Sequence, residues 1–84
     1  MKNVYSIRQV NHYISNMFSQ DFMLNRIYVK GEVSNCKYHT SGHIYFSLKD
    51  DSGSLACVMF AGNRSGLKFQ MQNGQSIIVL GSIS

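Results

Sequence analysis

The fold of this chain is decided by residues 41–53, whose sequence is SGHIYFSLKDDSG. Apolar side chains occupy every second position of its first half, at Ile44, Phe46 and Leu48. This period of two is typical of a strand with one buried face. The segment DDSG at 50–53 is a strong turn signal, because Asp, Ser and Gly favour tight turns. The sequence therefore predicts a β-hairpin, with strands at about 43–49 and 54–60.

Two further strands flank the hairpin. Residues 26–35 alternate between apolar and polar side chains, and residues 76–83 are rich in β-branched side chains after the turn signal Asn73-Gly74. Residues 62–69 predict a short irregular or helical connection. Short antiparallel strands with one apolar face favour a small barrel, because closure removes exposed edges. An antiparallel sheet with a helix over one end is the alternative.

A helix is predicted before the strands, at about residues 6–19. Ser6 and Gln9 have the spacing of a capping box, which satisfies backbone N–H groups at a helix start. Apolar side chains then recur on one helical face, which we expect to pack on the core: Ile7, Val10, Ile14, Met17 and Phe18.

Length and composition indicate one small domain over residues 1–84, with 44% hydrophobic and 14% charged residues. Eight Lys and Arg residues against four Asp and Glu give a net charge of +4, which favours a polyanionic partner. The longest apolar run, 55–61, is too short to span a bilayer, so no membrane partner is expected. Two cysteines are too few for a disulfide framework, which indicates a reducing, cytoplasmic location.

Catalytic groups are sparse in this sequence. Its acids are Asp21, Glu32, Asp50 and Asp51, and the last two are explained by the predicted turn. Neither a nucleophile–base arrangement nor a glycine-rich phosphate loop is recognisable. We therefore predict no catalytic activity and no cofactor for this segment.

Zinc is the metal that the spacing of the cysteines and histidines suggests. Cys36, His39 and His43 are spaced like part of a ligand set, but tetrahedral zinc normally needs a fourth ligand. The available fourth residue, Cys57, faces the core by its position in the alternation. A small buried Cys57 and a loop Cys36 explain the pattern without metal, so no metal site is predicted.

Nucleic acid is the partner that the surface pattern favours. Aromatic residues at outward or loop positions stand among basic ones: Tyr28, Tyr38, Tyr45 and Phe60 among Lys30, Lys37, His39, His43, Lys49, Arg64 and Lys68. Aromatic rings stack on unpaired bases while cations contact the phosphates, so such a surface binds single strands with little sequence preference. The alternative is that these rings cover the flank of the barrel or contact another domain.

A resemblance to a known family is carried by GEVSN at 31–35, HTSGHIYFSLKD at 39–50, and VMF at 58–60 with Gly62-Asn63. The segments SIRQVNHYI at 6–14 and IYVK at 27–30 also match. Together they resemble the amino-terminal domain of the exodeoxyribonuclease VII large subunits. The resemblance implies an OB-fold, a small Greek-key β-barrel, that binds single-stranded DNA. It also implies a parent hydrolase that cuts single-stranded DNA into oligonucleotides, with a downstream catalytic domain and several copies of a small subunit.

The resemblance further implies a set of DNA-contacting residues. The positions that match the family are Lys30, His39, Ser41, His43, Tyr45 and Phe60. Charge and loop position add Lys37, Arg64 and Lys68.

An OB-fold has five strands, and the sequence predicts four. We therefore expect this segment to end before the fifth strand, and its open sheet edges to favour self-association. Two other functions stay open: an RNA-binding module like the anticodon-binding OB-folds of transfer RNA ligases, which this chain distantly resembles, and a protein-interaction β-barrel.

Overall fold

A curled sheet forms most of this protein. The computed structural model describes residues 4–15 and 27–82. In chain order the elements are strand β1 (Val4–Tyr5), helix α1 (Ile7–Ser15), strands β2 (Ile27–Tyr38), β3 (Ile44–Asp50) and β4 (Gly53–Met59), a 3₁₀ helix (Ala61–Gly66) and strand β5 (Ser76–Gly81).

Strand β2 is the centre of the sheet. It runs antiparallel to β3 along its second half and antiparallel to β5 along its first half. Glu32 lies opposite both Lys49 of β3 and Ser76 of β5, so the two neighbours lie on opposite edges of β2. Strands β3 and β4 form the predicted hairpin, and β1 adds a short parallel pairing to β2. The sheet curls into a half-barrel, which confirms the predicted mainly β, OB-type fold.

Two local features let β2 pair with both β3 and β5. At Gly31 the next strand approaches so closely that a Cβ atom would lie 3.1 Å from Leu48 Cβ and 3.2 Å from the carbonyl oxygen of Lys49. Between Ser34 and Lys37 the pairing with β3 shifts register, and Asn35 has a positive φ of 51°. Bulges of this kind bend a strand and increase its twist, so β2 can curl around the core.

The core lies between α1 and the inner face of the sheet, as the alternation predicted. Its buried side chains are Ile7, Val10, Ile27, Val29, Val33, Ile44, Phe46, Leu48 and Met71. Cys57 and Leu55 of β4 pack against this cluster. The alternation correctly predicted which side chains of β2, β3 and β4 face inward.

The predicted capping box is present at the start of α1. The N–H of Ser6 donates to Gln9 Oε1 at 2.8 Å, and the N–H of Gln9 donates to Ser6 Oγ at 3.2 Å. A third bond ties the helix to the sheet, because the N–H of Ile7 donates to Asp50 Oδ2 at 3.1 Å. The helix was predicted over 6–19, and residues 16–19, with Met17 and Phe18, lie outside the described residues.

Several boundaries differ from the prediction. The first long strand continues to Tyr38 instead of ending at residue 35, because the bulge lets pairing with β3 resume. Cys36, predicted in a loop, therefore lies in β2. Strand β5 ends at Gly81, whereas the prediction extended it to residue 83. Strand β1 was not predicted, because 2 residues are too few to show a period.

No helix within residues 4–15 and 27–82 is long and apolar enough to cross a membrane.

The close approach at Gly31 predicts that Gly31→Ala destabilises the fold. The added methyl group meets backbone atoms of a paired strand that cannot easily move. Overpacking costs about 1–3 kcal/mol, and relief of glycine's backbone entropy returns about 0.5–1 kcal/mol. We expect a net loss of about 1 kcal/mol in the free energy of unfolding, measured by urea denaturation.

Gly62→Ala is the matched control, because a Cβ atom there meets nothing within 4 Å. No contact opposes the relief of backbone entropy there, so this variant should be as stable as the wild type or more stable by up to about 1 kcal/mol. Equal stability of the two variants would show that the approach of β3 to β2 at Gly31 is not tight.

The hydrogen bonds of the Asp50 carboxylate predict that the protein loses part of its stability in acid. The hydroxyl and the N–H of Ser52 donate to Asp50 Oδ1 at 2.6 and 2.9 Å, and with the Ile7 bond they lower the pKa of this carboxyl below its ordinary value of 3.8. The ionised form therefore stabilises the fold at neutral pH, and this contribution is lost as the pH falls through the lowered pKa.

Between pH 5 and pH 2 the free energy of unfolding should fall more steeply for the wild type than for Asp50→Asn, which cannot titrate at this position. Asp51→Asn is the control, because the Asp51 side chain makes none of these bonds, and it should follow the wild type. Parallel curves for wild type and Asp50→Asn would refute the role of this carboxylate.

Candidate nucleic-acid interface

Tyr45 and Phe60 project from the outer face of the half-barrel. In the β2–β3–β4 register, Tyr45 lies between Lys37 and Val58. Phe60 follows the end of β4 on the same side of the alternation as Val58. Tyr45 is 44% exposed and Phe60 is 54% exposed. The prediction that both rings point away from the core is confirmed.

Four rings form a continuous row along this face, which we call the ring row: His39, Tyr45, His43 and Phe60. The ring centroids are 5.8 Å apart for His39 and Tyr45, 6.3 Å for Tyr45 and His43, and 5.3 Å for His43 and Phe60. Every pair is close to perpendicular, the edge-to-face arrangement that aromatic rings favour. These contacts therefore stabilise the orientation of each ring against its neighbour.

A tight turn between β2 and β3 places the two histidines. The N–H of Gly42 donates to the carbonyl oxygen of His39 at 3.0 Å. The N–H of His39 donates to the carbonyl oxygen of His43 at 2.9 Å. Gly42 has φ +96°, a conformation that suits glycine. Ser41 fills the turn, because its N–H donates to His39 Nδ1 at 3.0 Å and its Oγ lies 2.8 Å from the same nitrogen.

The 3₁₀ helix is fastened to this turn at two points. The N–H of Ala61 donates to His43 Nδ1 at 2.9 Å, and Arg64 Nη1 donates to the carbonyl oxygen of Gly42 at 3.1 Å. The two segments touch closely, since a Cβ atom on Gly42 would lie 3.0 Å from Ala61 Cβ. Phe60, which precedes the 3₁₀ helix, is thereby held beside His43.

Arg64 has a structural role that its sequence position did not reveal. Its guanidinium lies 5.2 Å from the centroid of the Tyr38 ring, in addition to its bond to Gly42. The Tyr38 hydroxyl in turn accepts a bond from the N–H of Met71 at 2.7 Å. Arg64 was predicted as a loop cation, and the structure shows it half-buried and linking the turn to the 3₁₀ helix.

The structure brings together most of the predicted contact residues but not all of them. Those at the ring row or the attached turn are Lys37, His39, Ser41, His43, Tyr45, Phe60 and Arg64. Lys30 lies elsewhere, opposite Ile78 of β5. Lys68 is exposed in the segment between the 3₁₀ helix and β5, and no described contact joins it to the row. Lys49 forms a 3.7 Å ion pair with Glu32.

Sequence reasoning missed one exposed aromatic residue. Phe69, next to Lys68, is 48% exposed. It lies in an irregular segment where no period indicates the direction of a side chain. A large aromatic residue beside a lysine was the available signal.

The cysteines do not resemble metal ligands. Burial raises the pKa of the Cys57 thiol to about 11 and also raises that of Cys36, which favours the thiol over the metal-binding thiolate. Cys36 Sγ donates to the carbonyl oxygen of Met71 at 3.7 Å. Within the described part of the chain, no three His, Cys, Asp or Glu residues are grouped so that they could hold a metal ion.

A second exposed surface, which we call the β5 patch, is apolar. The register places Val4, Tyr28 and Leu80 in one row across three strands, with Ile78 and Lys30 in the next row. Val4 is 40% exposed, Leu80 45% and Ile78 59%. This patch lies along β5, whereas the ring row lies along β3 and β4.

Comparison with known proteins supports the sequence resemblance. A family model described as an OB-fold nucleic acid binding domain matches residues 5–84. The chain is 70% identical to the exodeoxyribonuclease 7 large subunit of Lachnoclostridium phytofermentans, over 100% of this chain and 21% of that protein. It is 46% identical to that of Clostridium acetobutylicum, over 96% of this chain and 20% of the relative. The chain thus spans about a fifth of the length of the curated relatives it matches.

Proposed function

This chain belongs to the family of OB-fold nucleic acid-binding domains, and we propose that it binds single-stranded DNA as part of an exodeoxyribonuclease VII large subunit. In this proposal the chain holds the strand, and a catalytic region elsewhere in the parent protein hydrolyses its phosphodiester bonds. The observation that carries the proposal is the outward placement of Tyr45 and Phe60 in one row of rings.

Stacking is the interaction that this row offers. Each base stacked on an aromatic side chain contributes about 1–3 kcal/mol, and every base has a flat face to present. Tyr45 lies on β3 and Phe60 directly after the end of the adjacent strand β4, with His43 between them. Neighbouring bases of one strand can therefore occupy the two rings in succession.

Cations supply the second interaction. Lys37 lies directly opposite Tyr45 on β2, and its side chain is exposed. The acids Glu32 and Asp50 lie toward the other end of β3, where Glu32 pairs with Lys49 and Asp50 accepts bonds from Ile7 and Ser52. The face is therefore suited to a polyanion. If about three phosphates are neutralised, the logarithm of the affinity falls with the logarithm of salt concentration at a slope of roughly −2.

DNA is favoured over RNA by the relatives, whose printed name is that of a deoxyribonuclease. An RNA-binding module is distinguished by competition between DNA and RNA oligonucleotides of one sequence, because an RNA site contacts the 2′-hydroxyl group. The words “large subunit” in the relatives' name support a smaller partner subunit as part of this proposal. A cytoplasmic location is also part of the proposal and rests on the two cysteines being too few for a disulfide framework.

A protein contact is the second candidate function, and the β5 patch favours it. Contiguous exposed apolar side chains commonly mark interaction surfaces. Among the described residues, β4 pairs with β3 alone and β5 pairs with β2 alone, so each has one open edge. Self-association through these edges stays a prediction.

The proposal predicts that Tyr45→Ala and Phe60→Ala each weaken binding to a labelled oligo(dT) by roughly 5- to 150-fold, the equivalent of about 1–3 kcal/mol. Fluorescence anisotropy across several salt concentrations measures both the affinity and its salt slope. The slope should stay unchanged in these variants, because no charge is removed. Lys37→Met should instead reduce its magnitude by about 0.7.

Ile78→Ala is the matched control, because it removes an exposed apolar side chain from the β5 patch instead of the ring row. Its affinity should equal that of the wild type. Loss of binding in Ile78→Ala, with none in Tyr45→Ala, would move the site to the β5 patch and contradict the proposal.

A further inference from the structure

His43 lies between the rings of Tyr45 and Phe60, the two proposed stacking residues. Its ring centroid lies 6.3 Å from that of Tyr45 and 5.3 Å from that of Phe60. Two bases stacked on those rings belong to neighbouring nucleotides, so the phosphodiester that joins them passes close to His43. This step rests on the proposed function.

The tautomer of the neutral His43 ring follows from its hydrogen bond to Ala61. A backbone N–H can only donate, so Nδ1, which lies 2.9 Å from the Ala61 nitrogen, is the acceptor and carries no hydrogen. The neutral ring then carries its hydrogen on Nε2. His39 has the same arrangement, with the N–H of Ser41 donating to Nδ1 at 3.0 Å.

The Nε2–H group of His43 is available to a ligand. Among the described residues, none of the hydrogen bonds that hold this ring involves Nε2, and His43 is only half-buried. The bond from Ala61 also fixes the direction of Nε2, because it prevents the ring from flipping. The protein therefore presents an oriented, uncharged donor between its two stacking rings.

We propose that His43 donates a hydrogen bond from Nε2 to a phosphodiester oxygen between the nucleotides stacked on Tyr45 and Phe60. The donor is neutral, so it adds affinity without neutralising a phosphate. This distinguishes it from Lys37, whose contribution depends on salt.

Two amide substitutions separate this role from a purely structural one. In His43→Asn the amide oxygen replaces Nδ1 and keeps an acceptor for Ala61, whereas in His43→Gln the amide nitrogen replaces Nε2 and keeps a donor. Both variants lose the ring, so its contacts with Tyr45 and Phe60 cancel in the comparison. We expect His43→Asn to bind oligo(dT) roughly 5- to 20-fold more weakly than the wild type, and His43→Gln to bind more tightly than His43→Asn.

A structural role gives the reverse order, because only the Asn variant keeps the bond to Ala61. The salt slope should equal the wild-type value in both variants. A fall of about 0.7 in its magnitude would show a charged contact and overturn the proposal. Loss of affinity should be equal with oligo(dA), which has no base carbonyl group, and a loss confined to oligo(dT) would assign the donor to a base.

A side-chain nitrogen NMR spectrum of the wild type tests the inference without any variant. It should show His43 with its hydrogen on Nε2, and this signal should shift on adding oligo(dT). A hydrogen on Nδ1, or an unmoved signal in a protein that binds oligo(dT), would overturn the role of His43. Absence of oligo(dT) binding in the wild type would refute the proposed function itself.

Discussion

The pairing of β2 with strands on both of its edges is the constraint on which this structure depends. A straight strand would give a flat sheet, whereas β2 curls where Gly31 admits β3 and where the bulge at Asn35 shifts the register. The curl closes the inner face around the core. It also makes the outer face of β3 and β4 convex, and this convex face carries Tyr45.

The ring row also depends on the contacts that join the β2–β3 turn to the 3₁₀ helix. Gly42 can approach Ala61 because it has no side chain, and this contact lets His43 and Arg64 make their hydrogen bonds across the gap. Phe60, at the start of the 3₁₀ helix, is held next to His43. The rings are thus fixed in place before any ligand arrives, which reduces the entropy lost on binding.

The faces of the strands could be predicted from the sequence because a period of two is a local property. It placed Ile44 and Leu48 inside and Tyr45 outside, and the spacing of Ser6 and Gln9 predicted the capping box. The extension of β2 could not be predicted, because a bulge interrupts the period near Cys36. The contacts of Arg64 with Tyr38 and Gly42 join residues far apart in sequence, so no local pattern reports them. The contact roles of individual residues were expected from the family resemblance or, for Lys37, Arg64 and Lys68, from charge and loop position, and they stay predictions.

The claim that DNA lies along the ring row is tested most directly by amide NMR of the uniformly nitrogen-15-labelled chain during titration with oligo(dT). The account predicts that the largest shifts occur at Lys37, His39, His43, Tyr45 and Phe60, with the amides of Ile78 and Leu80 unmoved. Shifts concentrated on β5, or spread evenly over the surface, would contradict it.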